Sequence, residues 1–183
     1  VRMLEAFRAL VNGGTDWRLV WSLPRPALFI GVAVIIAVAA YFLGCSNGAI
    51  IVSKYILRND IRNHGSGNAG LTNFHRVFGG KLTLVVILSD VVKAVLALGF
   101  ALLSVWLIGW PGLGTLAKYW AGVWCLLGHM YPCMFGFKGG KGILSGGTVA
   151  IMIDWRIALV VWGGFLILTA LTRWVSVGSC WAG

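Results

Sequence analysis

The run FIGVAVIIAVAAYFLG, residues 29–44, carries no charged side chain. A bilayer core is crossed by about 20 predominantly apolar residues of helix. The apolar character continues on both sides of this run, so a first membrane helix is expected to begin near Ala27 and extend toward Tyr55. The pattern then recurs. Apolar stretches cover Leu82 to Ile108 and Leu116 to Phe135, and two shorter ones cover 143–153 and 157–171. Asp154-Trp155-Arg156 separates the last two. Eleven helical residues rise only about 16 Å, too little to cross unaided. The break is therefore read as a turn between two short helices, in preference to a kink in one. The expected fold class is all-α: a polytopic transmembrane bundle of about four to five membrane segments.

Of the 183 residues, 59% are hydrophobic and 11% charged; an ordinary soluble domain carries roughly a quarter charged residues. The length suits one membrane domain, residues 27–183, preceded by an extension, residues 1–26, read as a short interfacial helix. The net charge is +10. It implies positive-inside topology and attraction to anionic lipid, and it is compatible with an anionic substrate. Nucleic-acid binding is not expected, because no soluble face presents the charge. Cys45, Cys125, Cys133 and Cys180 contain no Cys-x-x-Cys pair and read as small apolar residues, not as a disulfide framework or zinc site. Tryptophans such as Trp106, Trp110, Trp120 and Trp124 sit near segment ends, as interfacial belts do.

Lys54, Arg58, Arg62, Arg76 and Lys81 surround the first long loop, and Lys138 and Lys141 lie in the second. The opposite side has Lys118 and Arg156. Both glycine-rich loops are thus expected on the cytoplasmic side of a bacterial inner membrane. The four arginines of residues 1–26 then face outward, against the rule, unless that segment lies along the membrane surface.

The first loop contains GSGNAGLTN, residues 65–73. Its glycines have dinucleotide-fingerprint spacing, but the preceding segment is polar and Asp90 lies within an apolar span. A Walker A loop fails too, because Gly142 stands where Ser or Thr would ligate magnesium. An anion site fits better. Ser66, Asn68, Thr72 and Asn73 alternate with Gly67 and Gly70, and Arg76 follows. Small residues let backbone N–H groups approach an anion, and Arg adds a planar charged fork. FKGGKG, residues 137–142, repeats the chemistry, with Lys138 and Lys141 around Gly139 and Gly140, and Gly142 closing the run. Together the loops are expected to hold one or two phosphates. His129 becomes a candidate donor or general base beside them. Asp90 and Lys93, three apart, read as a structural pair, because charges within a membrane are usually paired.

In three places the chain resembles the bacterial acyl-phosphate–glycerol-3-phosphate acyltransferase family, a set of small integral membrane enzymes. The first is Ser66-Gly67-Asn68-Ala69-Gly70-Leu71-Thr72-Asn73 with Arg76, where the family has Ala at the position of Leu71. The second is Gly128, His129 and Pro132, then Phe137 to Gly142. The third is Thr172 to Ser179, with Trp174 for Tyr. The resemblance implies transfer of a fatty acyl group from acyl phosphate to the 1-hydroxyl of glycerol 3-phosphate, giving lysophosphatidic acid and phosphate. It implies no cofactor and no metal. Carried over, it places Arg76, Lys138 and Lys141 on phosphates, and Ser176 and Ser179 as lining donors. His129 is then a candidate catalytic residue, with a substrate phosphate oxygen as the other candidate base. The other glycerolipid acyltransferases carry His-x-x-x-x-Asp; here the fifth positions after His64, His75 and His129 are Ala69, Gly80 and Met134. Family members continue past the third motif, so this chain is expected to be truncated at its C-terminal side. The alternatives are a small anion transporter or channel subunit and a non-catalytic relative.

Overall fold

The computed structural model describes residues 26–182, and among these every regular element is helical. The extension 1–26, apart from Pro26, lies outside the described residues. Helix α1 spans Pro26–Cys45, α2 Gly48–Ile51, α3 Leu71–Val77 and α4 Leu82–Leu107. They are followed by α5 Gly114–Met130, α6 Ile143–Ile153, α7 Trp155–Thr172 and α8 Val175–Ala182. Among the described residues, three helices are long and apolar enough to cross a membrane: Ala27–Cys45, Leu82–Leu107 and Trp155–Thr172. Their outward faces carry Ile30, Val34, Leu88, Leu96, Leu159 and Ile167, all exposed. Such faces are costly in water and matched in hydrocarbon.

The first helix stops ten residues short of the expected Tyr55. Asn47, in extended conformation, accepts a hydrogen bond from the Ile50 N–H at 3.1 Å and starts a new helix. That short helix runs into a π-helical turn, Val52–Ile56. An Asn cap satisfies one orphan helix donor, which is why the apolar run does not carry the first helix onward. The third span also ends early, at Met130: Tyr131 precedes Pro132 and leaves the helical region, and Gly139 and Gly140 donate to the last carbonyls of the helix. The loop after Arg58 is not wholly irregular; it contains α3. The break at Asp154 is a turn between two helices, as expected. Asp154 ends α6 and caps α7 by accepting from the Arg156 N–H at 2.8 Å.

Helices α1, α4 and α5 form the bundle's core around Ile36, Ala40, Ala97, Leu98, Ala121 and Cys125. The α1–α5 contact is close because of two glycines. A Cβ on Gly44 would clash with the Cys125 carbonyl, and one on Gly128 with the Tyr41 carbonyl. Small residues at a helix crossing let backbones meet, the packing mode available where lipid removes the hydrophobic drive. Buried Lys118 donates to the carbonyls of Met152 at 3.0 Å and Ile153 at 3.4 Å, tying α5 to the C-terminus of α6. A cation at a helix C-terminus meets orphan carbonyls and the negative end of the dipole. A second core cluster, with Ile50, Ile61, Phe74 and Val86, lies under the first glycine loop.

Candidate active site

The first loop is held from within. Asn73 is buried, and its Oδ1 accepts from the Ser66 N–H at 3.0 Å. Its Nδ2 donates to the carbonyls of His64 and Asn68, each at 3.0 Å. This amide is fully committed to the loop backbone, so the expectation of Asn73 as a phosphate donor gives way to a clamp. The Gly67 N–H is likewise engaged, with the His64 carbonyl at 3.0 Å. Gly65 and Gly67 have φ of 59° and 71°, a region that favours glycine. From below, the buried Asn47 donates to the Ala69 carbonyl at 3.1 Å.

Arg62 joins this loop to the second one. Its Nε and Nη2 grip Asp60 at 3.0 and 2.7 Å, and its Nη1 donates to the Phe135 carbonyl at 2.5 Å. The guanidinium holds the Asp60 carboxyl below the usual carboxylate range, through hydrogen bonds that favour its charged form.

The second loop folds back on α5. Gly139 N–H donates to the Met130 carbonyl at 3.0 Å and Gly140 N–H to the His129 carbonyl at 3.2 Å. These donors cap the helix and are not free for an anion, which corrects the expectation of a nest at Gly139 and Gly140. What Gly140 supplies is room. A Cβ there would lie 2.5 Å from both the Ala69 carbonyl and His129 Nε2. The two glycine loops therefore meet at a point where no side chain fits.

Beneath that contact lies a buried charge cluster. Lys93 Nζ reaches Asp90 Oδ1 at 2.7 Å, His129 Nδ1 at 2.6 Å and the Ser46 carbonyl at 3.3 Å. The expected Asp90–Lys93 pair is present, with His129 as a third member. A Lys93 N–H directed at Nδ1 would make that nitrogen an acceptor, and a neutral ring would then carry its proton on Nε2, the edge facing Gly140. Three donors meet three acceptors, the condition under which a buried charge is tolerated.

Between the loops and α7 lies a cavity of about 460 Å³. Ser66, Asn68, Gly70, Thr72, Asn73 and Arg76 line it from the first loop and α3. Lys141 and Gly142 line it from the second loop, and His129 from α5. The N-terminus of α6, through Ile143 and Leu144, opens on it as well. Gly67, Gly139, Gly140 and Lys138 are not part of the lining. Lys138 is exposed, and its carbonyl accepts from Arg62 at 3.4 Å. Of the two lysines expected on phosphates, Lys141 lines the cavity and Lys138 does not. The side chains of Ser176 and Ser179 lie outside the described residues.

Sequence reasoning missed Asn47, which ties the first loop to α2, and the bridging role of Arg62. It also missed Trp162 and Phe165, which give the cavity an aromatic wall. Signals existed for each: an Asn-Gly pair inside an apolar run, an acid and a base two apart, and two aromatics three apart on one helix face.

The fold and the cavity define an integral membrane helical protein with a polar, cationic chamber at one end of its bundle. A family model described as glycerol-3-phosphate acyltransferase matches residues 34–183. The chain belongs to this family. A glycerol-3-phosphate acyltransferase of Thermoanaerobacter pseudethanolicus is 39% identical over 147 residues, covering 80% of this chain and 70% of that one. Crystal structures of PlsY (YgiH), an integral membrane glycerol 3-phosphate acyltransferase, share the fold. Its glycerol 3-phosphate form superposes with a TM-score of 0.70 at 32% identity, covering 82% of this chain and 72% of the other. Its lysophosphatidic acid form gives 0.67 at 31%, covering 82% and 71%.

Proposed function

We propose that this protein transfers a fatty acyl group from acyl phosphate to the 1-hydroxyl of sn-glycerol 3-phosphate, releasing lysophosphatidic acid and inorganic phosphate. The observation that carries the reading is the composition of one cavity. Arg76, Lys141 and the N-terminus of α6 meet there with hydroxyl and amide donors, opposite Trp162 and Phe165. Cationic and N–H-rich surfaces suit phosphate, and an apolar wall suits the start of an acyl chain.

Arg76 and Lys141 hold the two phosphates, with Ser66, Asn68 and Thr72 and the backbone at Gly70 and Gly142 as further donors. Ser176 and Ser179 are proposed to complete the lining. The hydroxyl oxygen of glycerol 3-phosphate attacks the acyl carbonyl carbon. The carbon–oxygen bond to phosphate breaks, and phosphate leaves. Phosphate is already a good leaving group, so positioning and charge neutralisation carry the rate. His129 acts as a donor through Nε2 in this scheme, the tautomer in which Nδ1 accepts from Lys93. The hydroxyl proton then passes to an oxygen of the departing phosphate. The loops face the cytoplasm of a bacterial inner membrane, where the charged acceptor is dissolved, while the tail of the donor stays in lipid.

Membrane vesicles carrying the chain, given acyl phosphate and labelled glycerol 3-phosphate, test the reading. Labelled lysophosphatidic acid that disappears in Arg76→Ala and Lys141→Ala is the expected result. No label in lipid from the unmodified chain would overturn it.

A further inference from the structure

Two thiols outside the cavity face each other between the end of α1 and the turn that follows α5. Cys45 ends α1, and Cys133 opens the 3-10 turn before the second glycine loop. Their Sγ atoms are 3.9 Å apart. A disulfide needs about 2.05 Å between sulfurs, so the pair must close by about 2 Å. Their surroundings differ. Cys45 is wholly buried. Its backbone is fixed: a Cβ on Gly128 would lie 2.9 Å from the Cys45 nitrogen, and the Cys45 carbonyl accepts from the Asn47 N–H at 2.8 Å. Cys133 is partly exposed and lines an apolar groove with Tyr41, Phe42 and Phe137. It sits in a turn of three residues, Cys133–Phe135.

We infer that Cys45 and Cys133 form a redox modification site, oxidised by a hydroperoxide to an intramolecular disulfide. The more accessible Cys133 reacts first. Its sulfur attacks the peroxide; an S–O bond forms, the O–O bond breaks, and water or an alcohol leaves with the thiol proton. The Cys45 sulfur then attacks the Cys133 sulfenic acid. The S–S bond forms, the S–O bond breaks, and a water leaves with the Cys45 proton. Two thiols lose two electrons and two protons, and the hydroperoxide is reduced by the same two electrons. On the cytoplasmic side proposed above, such a disulfide is transient and redox-sensing, which fits a bond that thiol reductants reverse.

Because Cys45 is fixed, the closing motion falls on the Cys133–Phe135 turn. The Phe135 carbonyl is the one that receives Arg62 Nη1, and the Pro132 carbonyl accepts from the Phe137 N–H at 3.0 Å. Drawing the turn toward α1 disturbs the Arg62 bridge and the entry to the Lys138–Gly142 loop. The oxidised form is thus the slower one. This effect on turnover rests on the acyltransferase reading; the bond itself does not.

The test uses vesicles carrying the full chain with Cys180→Ser, exposed to hydrogen peroxide or to cumene hydroperoxide. Free thiols are then blocked and the protein is digested without reductant for mass spectrometry. The expected result is a linked peptide containing Cys45 and Cys133. It is absent after dithiothreitol and absent in C45S and C133S. In C45S, dimedone traps a sulfenic acid at Cys133. Recovery of both thiols in blocked form after either oxidant would overturn the site. The linked peptide is read without any acyl-transfer assay, so its failure is distinct from failure of the catalytic reading. Turnover is expected to fall at least threefold on oxidation, to return with dithiothreitol, and to be insensitive in C133S. Unchanged turnover with the bond formed would overturn the coupling to the loops.

Discussion

The carbonyl of Ala69 and the α-carbon of Gly140 meet so closely that a methyl group on Gly140 would stand 2.5 Å from that oxygen. This contact joins the two glycine loops directly, one from before α3 and one from after α5. The same added methyl would press on His129 Nε2. Gly140→Ala is therefore expected to push the loops apart. Misplacement of about 1 Å can cost about 100-fold in rate, and a loss of that order in kcat/KM is expected with the protein still folded in detergent. Activity within twofold of the parent would show that the loops need not touch.

Arg76 and Lys141 line the cavity, and Lys138 does not. A charge-assisted hydrogen bond contributes about 1.5–3 kcal/mol, equivalent to roughly 10- to 150-fold. Arg76→Ala and Lys141→Ala should each lose activity on that scale, with Arg76→Lys keeping part of it. Lys138→Ala should lose far less. Steady-state kinetics on the three alanine variants separates the lysines, and a Lys138→Ala defect as large as that of Lys141→Ala would return Lys138 to the phosphate.

Lys93 has three acceptors within reach, two of them side chains. Removing one member of a buried ion pair typically costs about 3–5 kcal/mol, while replacing both with apolar residues costs much less. Thermal unfolding in detergent should show Lys93→Met or Asp90→Leu strongly destabilised. The double variant should recover most of the loss, because no lone charge remains. Equal loss in single and double variants would mean the cluster does not behave as a pair.

Asp60 carries a pH signature. Its folded pKa lies below the unfolded value of about 3.9, so its pairing with Arg62 stabilises fully above that value. The contribution fades as pH falls through the lower, folded pKa. The pair is partly exposed, with side-chain accessibilities of 20% and 17%, so solvent screening limits it to about 1 kcal/mol. Asp60→Asn should be slightly less stable at neutral pH and lose less on acidification below about pH 4. Parallel acid profiles for both proteins would remove Asp60 as a source of the dependence.

Leu71 stands in the cavity lining, where the resembling family motif has Ala. Leu71→Ala enlarges the chamber next to the first loop. The expected outcome is a changed ranking of acyl phosphates by chain length or branching, measured as kcat/KM across a series, with little change in KM for glycerol 3-phosphate. An unaltered ranking would show that the acyl group does not pass Leu71.

What was legible in the sequence depended on how local the cause was. The Asp154 turn could be read because a capping Asp sits between two apolar runs. The Asp90–Lys93 pair could be read because residues three apart share a helix face. The end of α1 was hidden, since the apolar run continues and only the Asn47 cap stops it. His129 as the third member of the cluster was hidden as well, because it lies 36 residues from Lys93. The two lysines of FKGGKG look equivalent in sequence. They differ because two glycine N–H groups fold back on α5, and nothing in the spacing announces that choice.

The Asn73 clamp separates the shape of the first loop from its placement. Each hydrogen bond described for its amide ends on backbone between His64 and Asn68. That amide therefore sets the local curvature. Where the curve sits is set from outside, by Asn47 beneath the Ala69 carbonyl and by Gly140 against the same oxygen. One carbonyl is thus the hinge pin on which the loop is both anchored to α2 and registered against its partner loop.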